Sequence, residues 1–370
     1  MKIEVFIGVF LLIMGNAYAQ ECNEATLLTT PGKWIEGMKG STSGVLTADL
    51  AKEKIVVDNL HKMMQQSYRP LGVDAHYNGA YYATRSEYQW LNQYSYNLRV
   101  LPYYCNDKTV VKAHETSTSL TIAANVITFG VDVYEPYTDS SPWDNGFRSI
   151  RQLPVEKDGL YYHVEETSIG FGRMGQQHTW LITRNGQWPF LLVTKKEFLE
   201  RKKQKLLKGL EEEKAMASRN AESRETERKL MEKQYSNDPL KLQKYLKNEY
   251  EYFKAQNWEN LARTEKNFLN AIAKVEALLK MPADELNKPA IVKQDPHDFL
   301  SHLFITATDP YPDILIKPNP NYFDKKLPRT SPQFISVVIV GNHKDPMMIQ
   351  AMAGLQKAVD FDKLKGMLGK

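Results

Sequence analysis

The chain has 370 residues, 42% hydrophobic and 25% charged, and its 20 Gly and 18 Pro exclude collagen-like or low-complexity sequence. This is a globular composition, long enough for roughly two domains. Lys and Arg number 48 against 44 Asp and Glu; a net charge of +4 is far from the strongly basic domain of a dedicated nucleic-acid binder.

In chain order, Lys2 precedes an apolar run from Val5 to Met14, and Ala17-Tyr18-Ala19 follows with the small residues that signal peptidase requires. The run is too short to cross a bilayer of about 30 Å. Ala19-Gln20-Glu21, ahead of Cys22, lacks the apolar lead-in of a lipoprotein anchor. Residues 1–19 therefore read as a cleaved secretory signal, with a mature chain from Gln20 destined for the periplasm or the cell exterior. No later segment is apolar enough for a transmembrane span after signal cleavage. Cys22 and Cys105 are the two cysteines, and in an oxidising compartment an even count favours one disulfide. It would close a loop of about 80 residues, worth several kcal/mol in chain entropy. Two separate thiols are the alternative, and neither Cys sits in a nucleophile motif.

Thr47 to Gln66 is predicted to be an amphipathic helix, capped by Thr47, with Leu50, Ile55, Val56, Leu60, Met63 and Met64 at helical spacing and Pro70 as its stop. From there to about residue 193 the pattern is strand-rich. Leu120, Ile122, Ala124 and Val126 alternate with Thr121, Ala123 and Asn125, as in a half-buried strand. Asn185-Gly186 lies between apolar segments and predicts a two-residue hairpin turn joining 178–184 to 187–193. Pro189 places the second arm at an edge or a bulge. Residues 20–193 thus read as an α+β body, one helix packed on an antiparallel sheet.

The character changes at Thr194. Residues 195–234 hold 13 Lys or Arg and 9 Glu, with Leu199, Leu206 and Leu210 at helical period and Glu197–Arg201 and Glu225–Lys229 as i,i+4 pairs. Tyr235-Ser236-Asn237-Asp238-Pro239 breaks the run, with Asp238 as N-cap and Pro239 at the first helical position. A second helical stretch follows to about Lys280, where Leu261, Phe268, Ile272, Val275 and Leu279 suggest a heptad seam. The expectation for 194–282 is a long antiparallel coiled-coil hairpin of two 40-residue helices, about 60 Å long. Its outer part is thinly packed, because Ala215, Met216, Ala217 and Ala221 are the only apolar residues between Glu211 and Lys229. Residues 283–370 return to a β/α pattern. Ile335–Val340 reads as a strand covered on both faces, and Met347–Leu368 as one or two terminal helices. This C-terminal segment is expected to pack on the body, with the hairpin as an insertion; no internal repeat is present.

Gly170-Phe171-Gly172-Arg173-Met174-Gly175 matches a GxGxxG string, yet the residues after it look like a strand, whereas a dinucleotide loop opens a helix. His297 and His302 would stand about 140° apart on a helix, unlike a zinc pair. His163 and His178 flank the Gly-rich loop, but symmetric pairing about it sets His178 opposite Thr167. Glu165, Glu166, Asp132, Glu135 and Asp144 are the carboxylates of the strand-rich half, without a spacing that marks a glycosidase pair. No serine-nucleophile motif occurs. No catalytic residue, cofactor or metal ligand is assigned. Residues 68–104 hold nine Tyr and Trp90, and Tyr81, Tyr82, Trp90 and Tyr94 are the candidate binding surface for a sugar or a protein. The basic stretch 195–208 carries interspersed Glu and reads as a solvated helix face.

The passage Trp180-Leu181-Ile182-Thr183-Arg184-Asn185-Gly186-Gln187-Trp188-Pro189-Phe190, followed by Val193-Thr194-Lys195-Lys196-Glu197-Phe198-Leu199, resembles a strand–turn–strand–helix passage in uncharacterised exported proteins of Bacteroidota-type bacteria. Pro31-Gly32-Lys33-Trp34 and the leader are similar in character, and the likeness spans about the first two-thirds of the chain. It implies location and architecture, with no site residue to carry over. The expected function is a secreted or periplasmic binding or scaffolding protein acting on an envelope protein or glycan. An envelope hydrolase acting on glycan or peptide is the alternative.

Overall fold

The computed structural model describes residues 22–83, 90–126, 133–134, 147–170 and 172–370. The leader at 1–19 and the candidate residues Tyr88, Asp132, Glu135, Asp144 and Phe171 lie outside the described residues. Cys22 is bonded to Cys105, 83 residues away, which ties the start of the described chain to a long strand. Helix α1 (Glu24–Thr29) begins at Asn23, whose side chain accepts from the Thr26 amide at 2.9 Å. Short strands β1 (Trp34–Glu36) and β2 (Thr42–Ser43) lead to α2 (Thr47–Ser67). Its N-cap is Leu46, without a side-chain bond, so Thr47 is its first residue, not its cap. Glu53, Val57, Leu60 and Met64 form its buried stripe, while Ile55 faces solvent.

Strands β3 (Val73–Tyr82), β4 (Gln93–Asn106), β5 (Thr109–Lys112), β6 (Ser119–Ala124), β7 (Val133–Tyr134) and β8 (Phe147–Ile150) follow. Next come β9 (Val155–Lys157), β10 (Leu160–Ser168), β11 (Met174–Thr183) and β12 (Phe190–Leu192). The helices α3 (Lys195–Gln234), α4 (Pro239–Tyr245), α5 (Glu251–Leu278) and α6 (Ala283–Leu286) separate these from β13 (Ile291–Gln294), β14 (His302–Phe304), β15 (Asp313–Pro318) and β16 (Phe334–Gly341). Helices α7 (Pro346–Ala358) and α8 (Phe361–Lys365) close the chain, separated by extended Val359 and the N-cap Asp360.

Among the described residues these strands form two sheets. The larger runs β1-β3-β4-β6-β16-β11-β10-β9, with β2 also on β3 and β5 also on β4. It is mixed: β1 and β2 pair parallel with β3 and the other neighbours are antiparallel. The smaller runs β14-β13-β15-β8-β7, with β12 also on β15. Alternation along single strands shows how the layers stack. On β16, Ile335, Val337 and Ile339 point into a core shared with α2, α7 and α8, while Phe334 points into a second core between the sheets. On β15, Ile314 and Ile316 join that inter-sheet core, while Leu315 turns to a third core beneath α3 and α5.

Three expectations are corrected. The protein is a mixed α/β fold, 41% helical and 29% strand, built on two large sheets in place of one helix on one antiparallel sheet. The Asn185-Gly186 segment does not close a hairpin: β11 already has β10 on one edge and β16 on the other, so β12 pairs with β15 of the smaller sheet. Asn185 and Gly186 do take positive φ, at 54° and 65°, but in a corner between sheets. The Tyr161 hydroxyl pins that corner by donating to the Gly186 carbonyl at 2.7 Å.

The long antiparallel coiled-coil hairpin is likewise absent. Among the described residues only α3 is a 40-residue helix. The second stretch is divided into α4, a π-turn at Leu246–Tyr250 and α5. A π-turn inserts a residue into the ladder and rotates α5 relative to α4, so the second stretch is not one continuous 40-residue helix. Apolar burial is concentrated at the root, where Ala271, Ile272 and Val275 meet Phe198, Leu199 and Leu206. Polar bonds also join α3 and α5, Lys203–Glu276 at the root and, further out, Lys214–Glu265, both at 2.6 Å, and the Asn257 amide donating to the Ala217 carbonyl at 2.9 Å.

Candidate functional site

The tyrosine-rich stretch is divided by the sheet. Tyr81 and Tyr94 are cross-strand partners on β3 and β4 and both belong to the core under α2. Tyr94 is 1% exposed, and its hydroxyl donates to the Thr330 carbonyl at 2.8 Å. Tyr82, the next residue along β3, is 40% exposed, and Trp90 packs on the inter-sheet core. These four do not share a face. The Gly-rich string is a tight turn between β10 and β11, closed by the Arg173 amide donating to the Gly170 carbonyl at 3.0 Å. It opens no helix, so no N-terminus stands ready for a phosphate. A Cβ on Gly175 would lie 2.5 Å from the Gly341 carbonyl oxygen, which accounts for glycine there.

The β10–β11 register sets Ser168 opposite Met174, shifted three positions from symmetric pairing about the Gly-rich string, so His178 lies opposite Val164, not Thr167, and His163 opposite Thr179. The two histidines occupy opposite faces. His163 Nε2 lies 3.4 Å from Glu165, and His178 Nδ1 lies 2.8 Å from the Tyr162 hydroxyl. Glu165 accepts from Gln177 at 2.9 Å, whereas Glu166, one residue on, faces the other side and solvent. His302 lies on β14 and His297 in the turn before it, so their helical spacing does not arise. Glu53 was legible as a carboxylate in an otherwise apolar helical stripe, yet nothing in its spacing to other residues announces a partner. It is buried, and Asn92 donates to its Oε1 at 2.7 Å.

The arrangement with the most chemistry to offer a partner lies between the outer half of α3 and the start of α5. The capping box at Thr194 and Glu197 starts α3, and the Asp238 cap with Pro239 starts the return. The π-turn then brings Tyr250 opposite α3, where its hydroxyl donates to Glu225 at 2.7 Å. Arg228 binds Glu225 and Glu232 at once and lies 5.7 Å from the Tyr250 ring centre. Hydrogen bonds from Arg228 and Tyr250 hold the Glu225 carboxyl down at about 2, with the Arg228 and Lys229 charges adding to them; the same bond to Glu225 pushes the Tyr250 phenol up. Arg224 pairs with Glu227 at 2.6 Å and lies 4.6 Å over the Phe253 ring.

Arg224, Glu225, Glu227, Tyr250 and Phe253 edge a groove of about 750 Å³ whose further lining includes Asn220, Lys254, Gln256 and Trp258. Phe253 is 43% and Trp258 45% exposed. Sequence reading passed over them because they break no polar pattern singly. The available signal was Tyr250, Tyr252, Phe253 and Trp258 gathered within nine residues of an otherwise polar helix. No protein-family model, curated protein or solved structure matches this chain.

Proposed function

We propose that this chain is an extracytoplasmic binding protein, of an exported Bacteroidota-type family, that holds an envelope protein along the α3–α5 groove. The observation that carries the reading is the pair of half-exposed rings, Phe253 and Trp258, in a groove also lined by Arg224, whose guanidinium lies over Phe253 and is already fixed by Glu227. Trp, Tyr and Arg dominate binding energy at protein interfaces, and a side chain ordered before binding loses less entropy on docking. Arg224 and Lys254 face Glu225 and Glu227, so the lining charges cancel and favour a partner segment without strong net charge. The Cys22–Cys105 disulfide supports an oxidising compartment. Among the described residues, no helix is long and apolar enough to cross a membrane.

The test is capture from envelope fractions by immobilised 20–370, compared with Trp258→Ala and Phe253→Ala. Phe299→Ala, at an 87% exposed ring outside the groove, is the control. A partner held through the groove binds about 30-fold more weakly to either groove variant, the loss of a 2 kcal/mol hot spot, and equally to the control. Equal capture by all four proteins, or capture of envelope glycan in place of protein, overturns the reading.

A further inference from the structure

The outer end of the helical pair, residues 229–247, gathers cations and bare leucines. Lys229, Lys233, Lys241, Lys244 and Lys247 stand there against Glu232 and Asp238, a net charge of +3 where the whole chain carries +4. All five lysines are exposed. Both carboxylates are engaged: Glu232 accepts from Arg228, while Asp238 caps α4 and pairs with Lys241 at 3.4 Å. Among the apolar residues, Leu230 is 59% and Leu240 79% exposed. Helix α4 buries Tyr245 and turns Pro239, Leu242 and Leu246 to a cavity of about 490 Å³, which Gln243, Lys247 and Glu251 also line. This cavity shares no residue with the α3–α5 groove.

Position adds to composition. The 40 residues of α3 rise about 60 Å, and the core it shares with the smaller sheet lies near its start. A leucine as exposed as Leu240, at the far end, buries little within the chain. Interfaces between proteins are poor in lysine and draw on aromatic and arginine anchors. Leucine beside lysine instead suits the boundary of water and lipid, where the leucine enters the acyl margin and the ammonium groups meet headgroup phosphates. With seven residues, α4 is far short of the roughly 20 that span a bilayer, so the contact is with the surface. We propose that the outer end of the helical pair docks on a bilayer surface carrying anionic phospholipids. Leu240 and its apolar neighbours enter the headgroup layer, and the lysines around them hold the phosphates.

The test is co-sedimentation of residues 20–370 with sucrose-loaded vesicles, either phosphatidylcholine alone or phosphatidylcholine and phosphatidylglycerol in equal parts. Binding is expected to the mixed vesicles and to be lost at about 0.5 M salt, where screening acts within a few ångströms. Each lysine near such a surface is worth about fivefold in affinity, so Lys244→Gln with Lys247→Gln should weaken binding about 25-fold. Leu240→Ser, which removes apolar area and no charge, should weaken it about fivefold. As the control, Lys325→Gln with Lys326→Gln removes the same charge from exposed positions ahead of β16 and should bind within about twofold of the wild type. All five substituted side chains are exposed, and each variant should keep the wild-type thermal midpoint. No binding to the mixed vesicles, equal binding to both kinds, equal losses in the two lysine pairs, or unchanged binding by Leu240→Ser each overturns the proposal. The last of these marks a surface for a soluble polyanion in place of a bilayer.

Discussion

Replacing Glu53 by Gln isolates the cost of a buried carboxyl. Glu53 sits on the buried stripe of α2, accepts from Asn92 through Oε1, and has no hydrogen bond to Oε2 among the described residues. Burial pushes its pKa up from 4.5 to about 7; the Asn92 bond opposes that shift, and the nearby Asp49 charge adds to it. The folded protein therefore binds the proton more tightly than the unfolded chain. Stability is unaffected below about pH 4.5, falls as pH rises from 4.5 to 7, and levels off above that. At 1.36 kcal/mol per pH unit, the full loss is about 3 kcal/mol. Glutamine reproduces the neutral acid, keeps an oxygen for Asn92 and does not titrate. Urea unfolding of both proteins from pH 4 to pH 9, followed by tryptophan fluorescence, gives the difference directly, because every other titrating group cancels. The variant should match the wild type at pH 4 and exceed it by about 3 kcal/mol at pH 8. A difference that stays constant across this range would refute the reasoning, as would one of opposite slope.

Two further outcomes follow from covalent and hydrogen-bonded ties. Cys22→Ser with Cys105→Ser reopens a loop of 83 residues, worth about 4.5 kcal/mol in chain entropy and so about 6 °C in thermal midpoint for a chain of this size; calorimetry should read that drop, and a drop under 1 °C would contradict it. Asn125 is buried at φ 60°, donates to the Asn92 and Ser331 carbonyls at 3.0 and 3.2 Å, and accepts from the Gln333 amide at 2.8 Å. Asn125→Ala strains the backbone and strips those three groups, and should cost about 3–5 kcal/mol in urea unfolding, whereas Asn125→Gly should recover the strain alone, about 1–2 kcal/mol.

Local burial was readable in this chain; the identity of what covers each residue was not. The β-branched run at Ile335–Val340 announces a strand buried on both faces, which is β16, and the apolar spacing of 47–66 announces α2. Neither pattern names a neighbour. Asn185-Gly186 has the backbone signature of a hairpin because positive φ is a local property, while β12 lands on β15 because both edges of β11 are already taken. Leu261, Phe268, Ile272, Val275 and Leu279 repeat at near-heptad spacing, but burial at their inner end comes from the smaller sheet, which a single helix cannot reveal. Tyr94 and Trp258 illustrate the same limit at the surface. One aromatic residue lies beneath a helix and the other stands in solvent, and residue type alone does not separate them.

The place of β16 has a consequence for how the chain acquires its structure. It is the last strand made, yet it lies in the middle of the larger sheet, between β6, some 210 residues earlier, and β11. Until residues 334–341 are available, both of those strands present a bare edge, and the helical core on one side of the sheet has no floor. Vectorial folding from the N-terminus therefore stalls at an open sheet, and closure waits for nearly the whole chain. Such late long-range pairing makes for slow folding and leaves the incomplete chain prone to aggregate. A chain cut short of β16 loses the strand that joins the two halves of the sheet, whatever else it retains.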